Sequence, residues 1–247
     1  MGFPFLTAEW HNLCLFNYRV APEKLERRLP RGFSLDEWRG GVFISLVAFQ
    51  FKRTRVLGVP WPGYISFPEV NLRFYVKAPD GRRGVVFIRE YVPQRLVCWA
   101  ARWLYNEPYA PTPISMNFAR QNGVLTVEYT IGRHGAHGRI ASRVGEVPTT
   151  PPEHSMEHHF KEHQWGFGID RRGRPLTYEV RHPTWRTRPV ESWECRLDWR
   201  RLYGDEWAFL GSLEPESIIF AEGSGVKLYP RSGRVALRET SVPPPFK

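Results

Sequence analysis

Two turn signals, each set between runs of strand character, constrain this chain more than any other feature. Residues 69–77 and 84–91 flank Pro79-Asp80-Gly81, and residues 114–131 break at Asn122-Gly123. Proline presets the φ of a turn, and Asn-Gly tolerates the positive φ that a tight hairpin needs, so both stretches predict antiparallel hairpins. Residues 10–20 (WHNLCLFNYRV) form a mixed apolar run with the length of a strand, and 42–52 is apolar, β-branched and aromatic, as buried strands are. Further strands are expected at 174–182, 217–222 and 225–230. Helices are few. Pro22 opens a short one whose Leu25 and Leu29 share a face, and Pro30 with Gly32 ends it. After Pro93, the residues Leu96, Val97, Ala100, Trp103 and Leu104 follow helical spacing. Residues 153–164 read as a polar helix behind Pro148, Pro151 and Pro152, and a short helix is expected near 197–203. The balance predicts an α+β fold that is mainly antiparallel β. A sheet that closes on itself or packs on another hides its edges and can surround a cavity. With no internal repeat, low-complexity linker or composition break, a single domain over 1–247 is expected, with its core at about 10–230.

Charge narrows the function classes. The chain carries 35 Lys+Arg against 25 Asp+Glu, and only six of those cations are lysines. The excess is scattered, without a basic tail or polybasic block. Arg82-Arg83 and Arg171-Arg172 stand beside glycines and read as solvated hairpin tips. Without a zinc finger, RRM core motif or basic heptad region, no dedicated nucleic-acid binding is expected. No apolar run approaches the roughly 20 residues of a membrane-spanning helix, so no membrane partner is expected either. Cys14, Cys98 and Cys195 form no CxxC pair, and each reads as a small buried hydrophobe. The opening Met1-Gly2-Phe3-Pro4-Phe5 lacks the pattern of a signal peptide, which predicts a cytoplasmic protein.

Three polar constellations stand out. In Phe67-Pro68-Glu69-Val70-Asn71-Leu72-Arg73, alternation puts Glu69, Asn71 and Arg73 on one strand face. That face either lines a cavity, offering an acid, an amide and a cation to one ligand, or meets solvent. In residues 153–163, His154/His158 and His159/His163 are spaced to share a metal on one helical face, with His182 available as a third ligand. HExxH is absent, and two ligands from one helix do not complete a tetrahedral zinc site. His159, His163 and His182 therefore stand as metal candidates beside the simpler reading of a polar helix surface, and no metal or other cofactor is implied. Third, Glu222-Gly223-Ser224-Gly225 reads as a tight turn between two strands, able to bring a carboxylate to a pocket mouth.

These segments, together with Leu29-Pro30-Arg31-Gly32-Phe33, Glu162-His163-Gln164-Trp165-Gly166, His182-Pro183-Thr184-Trp185 and Ala221-Glu222-Gly223-Ser224, resemble the DUF2071 (COG2071, YqjF-like) family over roughly residues 10–230. More remotely, the order of features is similar to the acetoacetate decarboxylase superfamily. That resemblance implies a cone-shaped antiparallel barrel or curled sheet with peripheral helices and an interior pocket. In the decarboxylase a lysine pair directly follows a proline after a helix, and one of those lysines forms the Schiff base. Here that place reads Glu107-Pro108-Tyr109-Ala110. The resemblance also matches His11 to a decarboxylase arginine and Glu69 to a pocket glutamate, which argues for an interior Glu69. Tyrosine cannot form a carbonyl imine, so Schiff-base decarboxylation is not expected.

Three readings follow. The first is a small-molecule-binding protein whose pocket holds Glu69, Tyr109 and His11, with Asn71, Arg73, His163 and Glu222 as further candidates and a small organic acid or aromatic compound as ligand. The second is an acid–base enzyme in which Glu69 moves a proton while Tyr109 or His163 donates to a developing oxyanion. The third is a basic surface protein.

Overall fold

A computed structural model of the chain describes residues 2–60, 63, 65–169 and 175–231. Its first strands are β1 (Leu6–Val20), β2 (Ser34–Leu35), β3 (Val42–Val56), β4 (Val59–Pro60), β5 (Phe67–Lys77) and β6 (Arg83–Val92). After these come β7 (Tyr109–Pro111), β8 (Ile114–Gln121), β9 (Val124–Ile131), β10 (Gly138–Val144) and β11 (Trp165–Ile169). The last are β12 (Pro175–Arg181), β13 (Thr187–Arg188), β14 (Val190–Leu197) and β15 (Ser217–Leu228). The α-helices are α1 (Glu23–Glu26), α2 (Arg95–Tyr105), α3 (Met156–Lys161) and α4 (Trp199–Tyr203).

Both predicted hairpins form. β8 and β9 pair from Gln121 and Val124 outward, and Asn122 and Gly123 between them have φ of 50° and 77°, as a two-residue turn with two positive φ values requires. β5 and β6 pair around the Pro79-Asp80-Gly81 turn. The larger sheet runs β2-β5-β3-β1-β15-β12-β11-β6-β7, and β6 also pairs with β5, so the sheet curls until the path returns on itself. Its parallel pairs are β6 with β11 and β6 with β7. A second sheet, β14-β10-β9-β8, covers one face of the first.

β1, β3 and β5 are apolar on both faces because both are covered. One face carries Phe16, Ile44, Leu46, Val70, Leu72 and Phe74, packed with Val127, Tyr129 and Ile140 of the second sheet and with Trp199 and Trp207. The other carries Leu15, Phe43, Val47, Phe49 and Tyr75, packed with Phe160 and Trp185. Glu69, Asn71 and Arg73 share this second face, so the polar stripe of β5 points inward. Glu69 and Asn71 are each 2% exposed.

Several expectations need correction. The first helix is a single turn ending at Glu26; Leu25 is buried and Leu29 lies beyond it. The histidine-rich stretch is not a polar surface helix. Only 156–161 is helical, Ser155 caps it by accepting from the His158 N–H, and His159, Phe160 and Lys161 are buried. Phe160 packs against Phe43 and Tyr75, which draws this turn onto the sheet. Residues 217–228 form one strand, so Glu222-Gly223-Ser224-Gly225 is a kink inside it. Gly223 has φ 82°, and a Cβ there would lie 1.9 Å from the Trp10 carbonyl oxygen. Arg83 is not a free hairpin tip: it bonds Asp36 and His159, while Arg82 lies 4.3 Å over the Trp165 ring. Arg171-Arg172 lies outside the described residues.

Candidate functional site

Three adjacent strands build a buried carboxyl cluster. Asn71 on β5 faces Glu90 on β6, and Glu90 faces Tyr109 on β7. Glu69 precedes Asn71 by two residues and shares its face. The Tyr109 hydroxyl donates to Glu69 Oε2 at 2.8 Å, and Asn71 Nδ2 donates to Glu69 Oε1 at 2.9 Å. Glu90, 2% exposed, also meets Glu69 and Tyr109 through its side chain. Glu107 follows α2 directly, where Asn106 closes the helix in the left-handed conformation (φ 53°). Its carboxyl group accepts from the hydroxyl of Tyr178 on β12. Tyr178 can lie where it does because its neighbour across β11–β12 is Gly166, where a Cβ would fall 2.1 Å from the Tyr178 ring.

Desolvation dominates the electrostatics of this cluster. Burial pushes Glu69 up to about 7, with the Asn71 and Tyr109 hydrogen bonds and the Arg73 charge pulling it back. Glu90 is held well above the carboxylate range by burial and by the charges of Glu69 and Glu107. Burial raises Glu107 to about 8. Burial thus favours the protonated form of all three carboxyls, with Glu69 and Glu107 titrating around neutral pH and above. Burial and the adjacent carboxylates push the Tyr109 and Tyr178 hydroxyls up, so both remain donors.

One end of an almost wholly apolar cavity of about 300 Å³ abuts this cluster. Phe51, Thr54, Val56 and Phe67 wall one side, and the inner face of α2, including Val97, Ala100 and Leu104, roofs it. Glu107, Tyr109 and Tyr178 reach the cavity, whereas Glu69 and Glu90 lie behind them. Among the described side chains, the carboxylate oxygens Glu90 Oε1 and Glu107 Oε1 are buried without a hydrogen-bond partner.

The other candidate residues fall elsewhere. Arg73 is half-buried, donating to the Phe160 carbonyl at 3.1 Å and lying 5.9 Å from the Tyr75 ring. His163 packs on Tyr75 (ring centroids 4.9 Å apart), six residues along β5 from Glu69. At about 3.3 Å per residue that is on the order of 20 Å, too far for His163 to serve Glu69. His11 pairs with Gln50 while Glu69 pairs with Phe49, so the two side chains point to opposite faces of the sheet; His11 instead bonds Glu9 at 3.0 Å. Glu222 is tied to Arg186 and Arg188 at 2.8 and 2.6 Å. His159 receives the Arg83 guanidinium at 2.6 Å, a cation where a metal would have to sit, and His182 stacks on Trp185 at 3.9 Å. Among the described residues, no three His, Cys, Asp or Glu side chains converge as a metal set.

The family model of an uncharacterized conserved protein, DUF2071 (COG2071), matches residues 7–225. The chain belongs to the DUF2071 family. It is 29% identical over 109 residues to the uncharacterized protein YqjF of Bacillus subtilis (strain 168), a match spanning 44% of this chain and 45% of YqjF. Among solved structures it is similar to the enduracididine biosynthesis enzyme MppR complexed with the condensation product of pyruvate and imidazole 4-carboxaldehyde. That likeness has a TM-score of 0.62 and 15% identity over 94% of this chain and 90% of the other. It is equally similar to an acetoacetate decarboxylase-like enzyme from Sphingomonas wittichii RW1, with a TM-score of 0.62 and 14% identity over 94% and 95%. At these identities the likeness establishes the fold: this DUF2071 chain has the acetoacetate decarboxylase-like curled sheet.

In this DUF2071 chain, Tyr109 turns its hydroxyl to Glu69. Reasoning from the sequence singled out Glu69, Asn71 and Tyr109 but missed Glu90, Glu107 and Tyr178. Glu107 carried a signal, since it stands in the segment Glu107-Pro108-Tyr109-Ala110 that already marked the site.

Proposed function

We propose that this protein binds a small, mostly apolar molecule in the cavity beneath α2, holding its polar end against Glu107, Tyr109 and Tyr178. The observation that carries the reading is an apolar cavity of about 300 Å³ with Glu107, Tyr109 and Tyr178 as the polar side chains at one end. The Tyr109 and Tyr178 hydroxyl protons are already given to Glu69 and Glu107, so the donor left for a ligand carbonyl or hydroxyl oxygen is the neutral Glu107 carboxyl, whose Oε1 has no other partner, and an ionised Glu107 attracts an amine. An organic acid suits this cavity poorly, because its carboxylate would be desolvated beside three buried carboxyl groups with no Lys or Arg in the lining to offset its charge. An aromatic ketone, alcohol or amine is therefore the favoured ligand class. The binding of small molecules by fold relatives such as MppR supports an interior ligand site. Tyr109 offers no amine for imine formation, so the reading excludes Schiff-base decarboxylation. A cytoplasmic setting belongs to the same proposal, supported by the three unpaired cysteines.

A second reading is favoured by Glu69, whose position near 7 beside a phenol donor suits a general acid–base. Calorimetric titration with acetophenone, benzylamine and benzoate separates the possibilities. Ketone and amine should bind and benzoate should not, and Ala100→Trp, which fills the cavity, should remove binding while the fold survives. Benzoate as the preferred ligand would sink the proposal, as would binding undisturbed by Ala100→Trp. Turnover of a bound carbonyl compound that Glu69→Gln abolishes, with binding retained, would select the enzyme.

A further inference from the structure

The outward side of α2 differs from the rest of the surface. Trp99 and Trp103, one helical turn apart, are 62% and 61% exposed, with parallel rings whose centroids lie 6.1 Å apart. Leu96 on the same helix is exposed as well, as are Phe3, Leu57 and Val59 on the two segments whose Phe5 and Val56 share a cavity lining with the tryptophans. The segments meet: Leu57 N–H donates to the Phe5 carbonyl at 2.8 Å, and Phe5, Val56, Leu96, Trp99 and Trp103 line the same cavity. Contiguous exposed apolar surface of this kind marks a contact face, and tryptophan is at home where apolar and aqueous phases meet.

The segments that carry these side chains bear charge of one sign. Residues 2–6, 52–60 and 94–106 contain Lys52, Arg53, Arg55, Arg95 and Arg102, and no Asp or Glu. Arg53 shares Glu9, yet its side chain is 79% exposed. We propose that this face docks on an anionic lipid bilayer, with the tryptophans and aliphatic side chains entering the headgroup boundary and the arginines on lipid phosphates and carboxylates. A second copy of this chain is a poor occupant, since it would set five cations against five. A nucleic acid would use the cations and rings but leave Leu57, Val59 and Leu96 without a partner. The docked orientation turns the cavity mouth toward the bilayer. Although the sequence predicts no membrane partner, that expectation rested on the lack of a spanning helix, and surface docking needs none.

The test is co-sedimentation of the full chain, without pocket ligand, with vesicles of 30% phosphatidylserine in phosphatidylcholine, beside pure phosphatidylcholine vesicles. Binding should favour the anionic vesicles, weaken at high salt and shift tryptophan emission to the blue. Trp99→Ala/Trp103→Ala and, separately, Arg53→Gln/Arg95→Gln should each lower the bound fraction about fivefold or more, with thermal unfolding unchanged. Ala100→Trp should bind vesicles normally, so failure here and failure of the ligand reading remain distinguishable. No binding to anionic vesicles, or binding indifferent to both double variants, would overturn the proposal. So would a concentration-dependent dimer, or single-stranded oligonucleotide binding, that the two tryptophans account for.

Discussion

The Tyr109 hydroxyl reaches Glu69 at 2.8 Å although their strands are not neighbours: β6 lies between them and sets Glu90 directly beside Tyr109. This diagonal bond closes one carboxyl over another. Two glutamates in such proximity cannot both ionise cheaply, and burial keeps water from relieving them, so a proton is retained within the cluster. Tyr109 and Glu107 carry this arrangement to the edge of the adjoining cavity.

Removing the diagonal bond should expose its contribution. In Tyr109→Phe, Glu69 loses a donor to its charged form and its pKa should rise above about 7. The folded state should lose about 1–3 kcal/mol at pH 8, where Glu69 is ionised, and less at pH 5, where it is neutral. Urea denaturation at the two pH values, with carboxyl-carbon NMR of Glu69, checks this. Equal losses at both would show that the bond does not serve the carboxylate.

The cluster should also give the protein an alkaline-sensitive stability. Glu69 and Glu107 stand at about 7 and about 8 when folded, against 4.5 as ordinary carboxyls. Between these values the folded chain holds protons that the unfolded chain has released. Their contribution is full below about pH 4.5 and is lost as pH rises through 7 to 8. His159 acts in the opposite direction: burial and Arg83 lower it from 6.5 to about 4, so its contribution is present above 6.5 and lost as pH falls toward 4. Glu107→Gln should therefore flatten the alkaline limb and be more stable than the parent at pH 9, on the order of a few kcal/mol. His159→Gln should flatten only the acid limb. Denaturation midpoints from pH 4 to 9 check both, and a Glu107→Gln profile parallel to the parent's would refute the assignment.

The sequence made part of this site legible, and β-bulges hid much of the rest. The two turn signals located both hairpins, and alternation put Glu69, Asn71 and Arg73 on one face. Counting outward from Pro79-Asp80-Gly81 in perfect register, however, sets Asn71 opposite Arg89. The register shifts between Leu72 and Arg73, so Asn71 meets Glu90 instead. One extra residue reverses which side chains face inward, and a single sequence gives no sign of it. His11 was misplaced for a related reason. A decarboxylase arginine matched it by order along the chain, but its register with Gln50 turns it to the face opposite Glu69, and the strand is irregular just beyond, where Asn12 has φ 55°. Glu107 escaped because its burial depends on α2 folding back over β6 and β7, a tertiary event that local pattern does not encode. The histidine stretch misled in the other direction: its composition is polar, but Phe160 anchors it against the sheet and carries His159 inside with it.

Gly166 should be irreplaceable for the site rather than for the strand. Its backbone pairs regularly with Tyr178, but an added methyl would overlap the Tyr178 ring. Gly166→Ala should cost about 1–3 kcal/mol through displacement of the ring. It should also weaken ligand binding, since Tyr178 lines the cavity and bonds Glu107. Calorimetric binding with a thermal melt tests this. Full affinity in the alanine variant would show that Tyr178 is not needed in its observed place.

A Schiff-base lysine must be unprotonated near neutral pH and open to substrate, which a desolvated pocket amine achieves and a solvated or ion-paired one does not. Lys161 is the buried lysine among the described residues. It is bound to Glu162, which restores part of the charge that burial removes, and it lies in α3 beside Phe160, at the Tyr75 end of β5 rather than at the cavity. Lys24, Lys77 and Lys227 are exposed. Borohydride treatment in the presence of acetoacetate or pyruvate should therefore leave the intact mass of the protein unchanged at pH 7. Tyr109→Lys should not create the activity by itself: the new amine would meet the Glu69 and Glu90 carboxyls, which would give it a proton and pair with the ammonium form in place of the nucleophilic amine. Stable mass adducts on the parent protein, mapped to any lysine by peptide analysis, would overturn this reading of the cavity.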